Sequence, residues 1–308
     1  MGKVSCNLNV SEFRYPLFTA TYSLVLVFGL PLNVMSLWVF FKRLGLHTVP
    51  VIYMANLAMS DLLFVLSLPL RIYYFATANW PFGDVLCMIP GTVFSVNIYS
   101  SSLFITLISV DRFLAVVYPL RSRAIRTPKF AGIACVTVWI FISGLSVPVA
   151  LNHNAVWDSD TNVSRCFECF PEQNWKFGFI ILCSITALGI LIPFIIIMSS
   201  TVIVIKKLKT ERICSTLFEK NKIIRMFLAN LLMYALCFIP FHVAFILYGL
   251  HKLEYIDYNF FDAQTITMCL ASTNSCLDPT IYYFSINAFS RRKTSEVELK
   301  TLRTSTYK

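Results

Sequence analysis

Seven long apolar stretches recur along this 308-residue chain, and they constrain its fold more than any other feature. They cover residues 18–41, 49–75, 85–117, 130–151, 175–205, 223–250 and 261–284. Each reaches the roughly 20 helical residues that cross a ~30 Å hydrocarbon core, and each holds few or no charges. The alternating ~10-residue segments of a membrane β-barrel are absent from the sequence. Composition agrees: 57% of residues are hydrophobic and only 14% charged, too few charges to coat a water-facing surface. The first stretch is long for a signal-peptide core, and no small-residue cleavage site follows it. The sequence therefore predicts an all-α membrane protein, a seven-transmembrane helix bundle.

The net charge of +10 looks at first like a nucleic-acid footprint. Its distribution says otherwise. With the N-terminus outside, all but six of the 26 Lys and Arg fall on the inner side. The exceptions are Lys3, Arg14, Arg71, Arg165, Lys176 and Lys252. This is the asymmetry of the positive-inside rule, and it requires no nucleic-acid partner. Two glycosylation sequons, at Asn9 and Asn162, lie on the side assigned as outer. The expected organisation is an extracellular N-terminus over residues 1–15, the seven-helix body over 16–284, and a short amphipathic eighth helix with a cytoplasmic tail over 285–308. The expected location is the plasma membrane.

Polar groups inside membrane helices are expensive and point to function. Here they are Asn33, Asp61, Ser101, Asn274, Ser275 and Asp278. Two acids with polar neighbours need each other, a proton or a cation. Two readings stand: a hydrogen-bonded network that joins helices, or a hydrated site for a regulatory sodium ion at Asp61, Ser101, Asn274, Ser275 and Asp278. No other cofactor is expected. Pro69, Pro148, Pro193, Pro240 and Pro279 each fall within a span, where proline removes a backbone bond and kinks the helix.

Short motifs occur in order at the right helical depths: Gly29-Leu30-Pro31-Leu32-Asn33, Asn56-Leu57-Ala58-Met59-Ser60-Asp61, Asp111-Arg112-Phe113, Trp139, Pro193, Cys237-Phe238-Ile239-Pro240, and Asn274 with Asp278-Pro279-Thr280-Ile281-Tyr282. Over essentially the whole chain this series resembles the class A, rhodopsin-like G-protein-coupled receptors. Trp80-Pro81-Phe82-Gly83-Asp84 and Cys166-Phe167-Glu168 are similar to the purinergic-related cluster, within it the non-Edg lysophosphatidic acid receptors. The resemblance implies a Cys87–Cys166 disulfide; a second bridge, Cys6–Cys169, is a further expectation. It also implies a switch built from Asp111, Arg112, Phe238, Pro240, Asn274, Asp278, Pro279 and Tyr282. In that switch Arg112 leaves Asp111, the sixth helix swings outward, and a heterotrimeric G protein of the twelve/thirteen or inhibitory class docks. Departures from the family pattern are Phe238 for Trp, Thr201 where many relatives have Tyr, and Lys220 in place of an acid. Together they predict a loosely latched inactive state.

Charge placement bears on the ligand. The outer half of the third helix, Phe94-Ser95-Val96-Asn97-Ile98-Tyr99, carries no acid, which disfavours a cationic amine. Arg71, Lys176 and Arg165 instead suit an anion. Tyr74, Tyr99, His242 and Tyr248 are the further candidate ligand contacts. Arg71 could also snorkel, and His242 could be a satisfied buried histidine. The implied partners are an anionic lysophospholipid, with lysophosphatidic acid foremost, and membrane lipids. A nucleotide or other small anion is the alternative ligand, and a transporter the alternative class. No inverted repeat supports the transporter, and the scattered histidines form no enzyme site.

Overall fold

The computed structural model describes residues 13–151, 155–158, 162–167, 175–210 and 217–280. Helix α1 (Arg14–Trp38) runs on into a π-helical turn (Val39–Leu44); α2 (Val49–Thr77) and α3 (Gly83–Val117) follow. A 3₁₀ turn (Arg121–Ala124) leads to α4 (Pro128–Leu151). Strands β1 (Val156–Asp158) and β2 (Val163–Arg165) then form an antiparallel hairpin with Trp157 opposite Ser164. The fifth span is α5 (Trp175–Thr186), a π-helical turn (Ala187–Leu191) and α6 (Ile192–Thr210). The sixth is α7 (Leu217–Cys237) and α8 (Ile239–Lys252), and the seventh starts with α9 (Phe261–Ser272). After a turn at Thr273, residues 274–280 are again helical.

The breaks have local causes. Pro50 sits in the first turn of α2, where its missing N–H is no loss. The same helix ends because Ala78 turns left-handed (φ 52°) and returns its N–H to the Tyr74 carbonyl at 2.8 Å. Pro240, in the first turn of α8, interrupts the sixth span at Phe238. Pro31 and Pro90 are further in-span prolines, inside the continuous helices α1 and α3.

Helix α3 is central and packs against α2, α4, α6 and α7; α9 packs against α1 and α8 and closes the ring. Large apolar side chains such as Val27, Phe28 and Met35 point outward, while Asn33, Asp61, Ser101 and Asn274 are buried. That inversion suits lipid as the outer solvent. The hairpin marks one end of the bundle. At the opposite, basic end, Val116, Val117, Val204, Leu208, Ile223, Met226 and Phe227 form a separate apolar plug.

Candidate functional site

Among the described residues, a disulfide organises the hairpin end. Cys87, in the first turns of α3, is bridged to Cys166 just after β2, with Cα atoms 5.9 Å apart. Backbone bonds hold the hairpin further: Trp80 donates to the Ser164 carbonyl (2.9 Å), and Ser164 N–H to Asn79 Oδ1 (3.2 Å). Phe167 follows the disulfide with a left-handed backbone (φ 66°), uncommon for an aromatic residue. Its ring lies 4.8 Å from the Arg71 guanidinium carbon.

Arg71 is 4% exposed, so it does not snorkel to the surface. One terminal nitrogen donates to the Tyr22 hydroxyl (3.2 Å), the other to the Pro90 carbonyl (3.0 Å). The rings of Tyr22 and Phe94 lie 5.6 and 5.1 Å from its carbon. Nε has no hydrogen-bond partner, and no carboxylate pairs with Arg71 among the described residues. A buried guanidinium held by neutral groups and aromatic faces keeps an unneutralised charge. Tyr22 and Pro90 were not singled out from sequence. An ordinary tyrosine and a backbone carbonyl carry no signal until helix faces are paired, though a proline inside the third span was visible.

The other candidate ligand contacts spread around this centre. Tyr74 is fully buried against Trp80 and Phe167, with ring centroids 6.2 and 5.4 Å away. Arg165 donates to the Tyr15 hydroxyl at 2.8 Å, tying β2 to α1. Tyr248 packs on Phe261 at 5.5 Å, in reach of the Lys252 ammonium. Arg14, at the start of α1, is buried over Phe261 (4.5 Å) and Phe18 (5.5 Å). Tyr99 and His242 meet deeper in the bundle, with the hydroxyl 3.4 Å from Nε2. His242 Nδ1 is 2.8 Å from the Phe238 carbonyl, so it carries the proton and donates there, leaving Nε2 to accept from Tyr99. Both ring nitrogens thus have partners. Lys176 starts α5, but its side chain lies outside the described residues.

Below these, a buried polar network joins α1, α2, α3 and the seventh span. Asn97 Nδ2 donates to Asp61 Oδ1 (2.9 Å) and reaches Ser60 and Ser101. Asn33 donates to the Ser275 carbonyl (2.8 Å), and Asn274 to Asp278 Oδ2 (2.8 Å). Within this network, four buried oxygens lack a hydrogen-bond partner among the described residues: Asn33 Oδ1, Asp61 Oδ2, Asn274 Oδ1 and Ser275 Oγ. Asn97 is the member the sequence reading missed as a participant; it was weighed only as a non-acid in the third helix.

At the basic end, Arg112 is 5% exposed. Asp111 is held by a bidentate pair, Arg126 Nε to Oδ1 at 2.7 Å and Nη2 to Oδ2 at 3.2 Å. Arg126, read from sequence only as a topology charge, therefore engages the acid expected to serve Arg112. Phe238 is buried at the break before Pro240, and Pro279 lies in the helical segment 274–280. Asn162 occupies an exposed hairpin turn with φ 58°. Tyr282, Cys6, Cys169, Asn9 and the eighth helix fall outside the described residues.

Comparisons with known proteins agree on one family. Residues 32–282 match the family described as "7 transmembrane receptor (rhodopsin family)". The chain is 39% identical to Lysophosphatidic acid receptor 6 of Gallus gallus over 290 residues, 92% of this chain and 94% of that one. It is 40% identical to Lysophosphatidic acid receptor 4 of Homo sapiens over 291 residues, covering 91% and 77%. It is also 40% identical to Lysophosphatidic acid receptor 5 of Bos taurus over 282 residues, covering 89% and 77%. With seven apolar stretches folded into one helical ring and this match across most of its length, the chain belongs to the rhodopsin family of seven-transmembrane receptors and is a multi-pass membrane protein.

Proposed function

We propose that this receptor is activated by lysophosphatidic acid, with Arg71 gripping the phosphate. The observation that carries this reading is the buried Arg71, with no carboxylate partner among the described residues and an uncommitted Nε. A phosphate supplies the missing negative charge, and guanidinium geometry suits its oxygens. Tyr22, already bonded to Arg71, adds a hydroxyl to the same headgroup. The surrounding rings of Phe94, Phe167 and Tyr74 suit the start of an acyl chain. The names of the relatives above support the same ligand.

Agonist binding then shifts the population toward an open basic end. The sixth span pivots at Phe238 and Pro240, the plug parts, and Arg112 meets the G protein, of the twelve/thirteen or inhibitory class. Tyr282 turns inward in the same step. The N-terminus is extracellular, at the plasma membrane, with glycans on Asn9 and Asn162 and a Cys6–Cys169 bridge. Residues 285–308 form the short eighth helix and the cytoplasmic tail.

A sodium ion is proposed as a regulator. The orphaned oxygens on Asp61, Asn274 and Ser275 suit a hard cation, and Ser101 and Asp278 complete the proposed set. These residues would hold it, and its single positive charge would offset one of the two negative charges that Asp61 and Asp278 carry when both are ionised.

The test is a G-protein dissociation assay on the full chain in cells. 1-Oleoyl lysophosphatidic acid should activate the receptor, adenine and uracil nucleotides should not, and Arg71→Ala should lose the response at equal surface expression. A nucleotide response without a lysophosphatidic acid response overturns the ligand. An undiminished response in Arg71→Ala overturns the role of Arg71.

A further inference from the structure

The turn between α8 and α9 holds two outward-facing tyrosines. Tyr255 is 73% exposed and Tyr258 71%, the highest values for tyrosine among the described residues. Glu254, Asp257 and Asn259 around them are exposed as well, and within residues 254–259 only Ile256 is partly covered. An interfacial anchor would instead seat its ring among apolar neighbours at headgroup depth. Here the neighbouring acids keep the turn in water.

The backbone beneath the two rings is fixed. Glu254 turns left-handed (φ 62°) and returns its N–H to the His251 carbonyl, and Tyr255 donates to the Leu250 carbonyl, both at 3.0 Å. His251 Nδ1 donates to the Ile256 carbonyl at 3.1 Å. From Ile256 to Phe260 the chain has no helix or strand, so it can enter another protein's cleft without unfolding the bundle.

The sequence at this turn differs from the rest of the chain. Of the 14 tyrosines, Tyr255 and Tyr258 are the two preceded directly by an acid, Glu254 and Asp257. Tyr258 also has Glu254 four residues before it and Asp262 four after, with no Lys or Arg within five residues on either side. Tyr255 has Lys252 three residues before it. An acidic, open segment in a chain of net charge +10 suits recognition by a basic protein surface.

We propose that Tyr258, and Tyr255 to a lesser extent, are sites of O-sulfation by a transferase of the secretory lumen. Such an enzyme holds a donor with a phosphate–sulfate anhydride, so its cleft must be basic, and an acidic peptide complements it. In the transfer the phenolic oxygen attacks the sulfur and the S–O bond to the donor phosphate breaks. The phosphate leaves with that electron pair, and the phenolic proton passes to a base of the enzyme. Nothing is oxidised or reduced. The product, an aryl sulfate, adds one permanent negative charge per tyrosine to the end of the bundle that holds Arg71 and Lys252. The proposal rests on the reading above that the N-terminus, and with it the hairpin end, is extracellular.

The experiment labels cells expressing the full chain, with a tyrosine-free N-terminal tag, with radioactive inorganic sulfate. Tyrosine sulfate released from the purified receptor by alkaline hydrolysis is then quantified, so sulfated glycans do not count. Wild type should yield tyrosine sulfate. Tyr258→Phe should remove most of it, and the double variant with Tyr255→Phe all of it. Both rings are exposed and Phe keeps their bulk, so surface level should match wild type. Asp257→Asn in the Tyr255→Phe background removes one charge from the recognised segment and should cut the remaining label about tenfold. Undiminished label in the double variant, or on adding Asp257→Asn, overturns the proposal. So does a wild type without tyrosine sulfate whose tag binds antibody on intact cells. If the tag binds antibody only after permeabilisation, the extracellular reading has failed, and the proposal falls with it.

Discussion

Replacing Arg126 by Ala removes both hydrogen bonds to Asp111 at a stroke. The pair is bidentate at 2.7 and 3.2 Å, and the two side chains are 25% and 3% exposed. A fully exposed pair contributes about 0–1 kcal/mol. Breaking a fully buried one costs about 3–5 kcal/mol, because a charge is left unpaired. Here the acid is buried but the base is partly wet, and Arg112 stands next to the acid in sequence. The loss should fall between the limits, at about 2 kcal/mol. At roughly 2 °C per kcal/mol for a chain of this size, the thermal midpoint should drop about 4 °C. The assay is thermal unfolding of purified receptor in detergent for Arg126→Ala, Asp111→Asn and the double variant. Once Arg126 is gone, Asp111→Asn should lower the midpoint far less than it does alone. Fully additive shifts, or a midpoint unmoved by Arg126→Ala, would refute the argument that Arg126 holds Asp111.

Other consequences are testable alongside. Tyr22→Phe removes one neutral hydrogen bond to Arg71 and should raise the lysophosphatidic acid EC50 about three- to tenfold, read in the same dissociation assay. Exchanging choline for sodium at constant ionic strength should raise agonist EC50 about fivefold in the wild type, and Asp61→Asn should abolish that dependence. At Gly189, an added Cβ would lie 2.9 Å from Tyr99 Cδ1, so Gly189→Ala should displace that ring from His242 and lower the thermal midpoint by about 2–4 °C.

The sequence made the spans legible because a bilayer tolerates little else: apolar length, charge asymmetry and in-span prolines all follow from one solvent. Arg71 and Asp61 stood out for the same reason, as charges where charges are costly. The pairing of helix faces was not legible. Ser102, Tyr234, Tyr22 and Asn97 are ordinary residues in a membrane helix, and their role depends on rotations that apolar periodicity leaves open when every face is greasy. Arg126 was hidden by company, one basic residue among many on its side. The hairpin was missed because its strands are three residues each, too short for alternation to register. His242 stood between two readings, and its two partners give the satisfied one a structural basis. The loosely latched state expected from Thr201 and Lys220 considered only the usual partners. It left out the Ser102–Tyr234 contact, which ties the third span to the sixth by other means, while the Asp111–Arg126 pair ties α3 to the loop that follows it.

The central claim is that a buried, unneutralised arginine receives the phosphate of a lysophospholipid. Saturation binding of labelled 1-oleoyl lysophosphatidic acid to purified receptor tests it most directly. Removing a charge-assisted bidentate contact of about 3 kcal/mol predicts a Kd raised roughly 100-fold in Arg71→Ala, with excess nucleotide unable to displace the label from the wild type. Equal affinity in Arg71→Ala and wild type, or full displacement by a nucleotide, would contradict it.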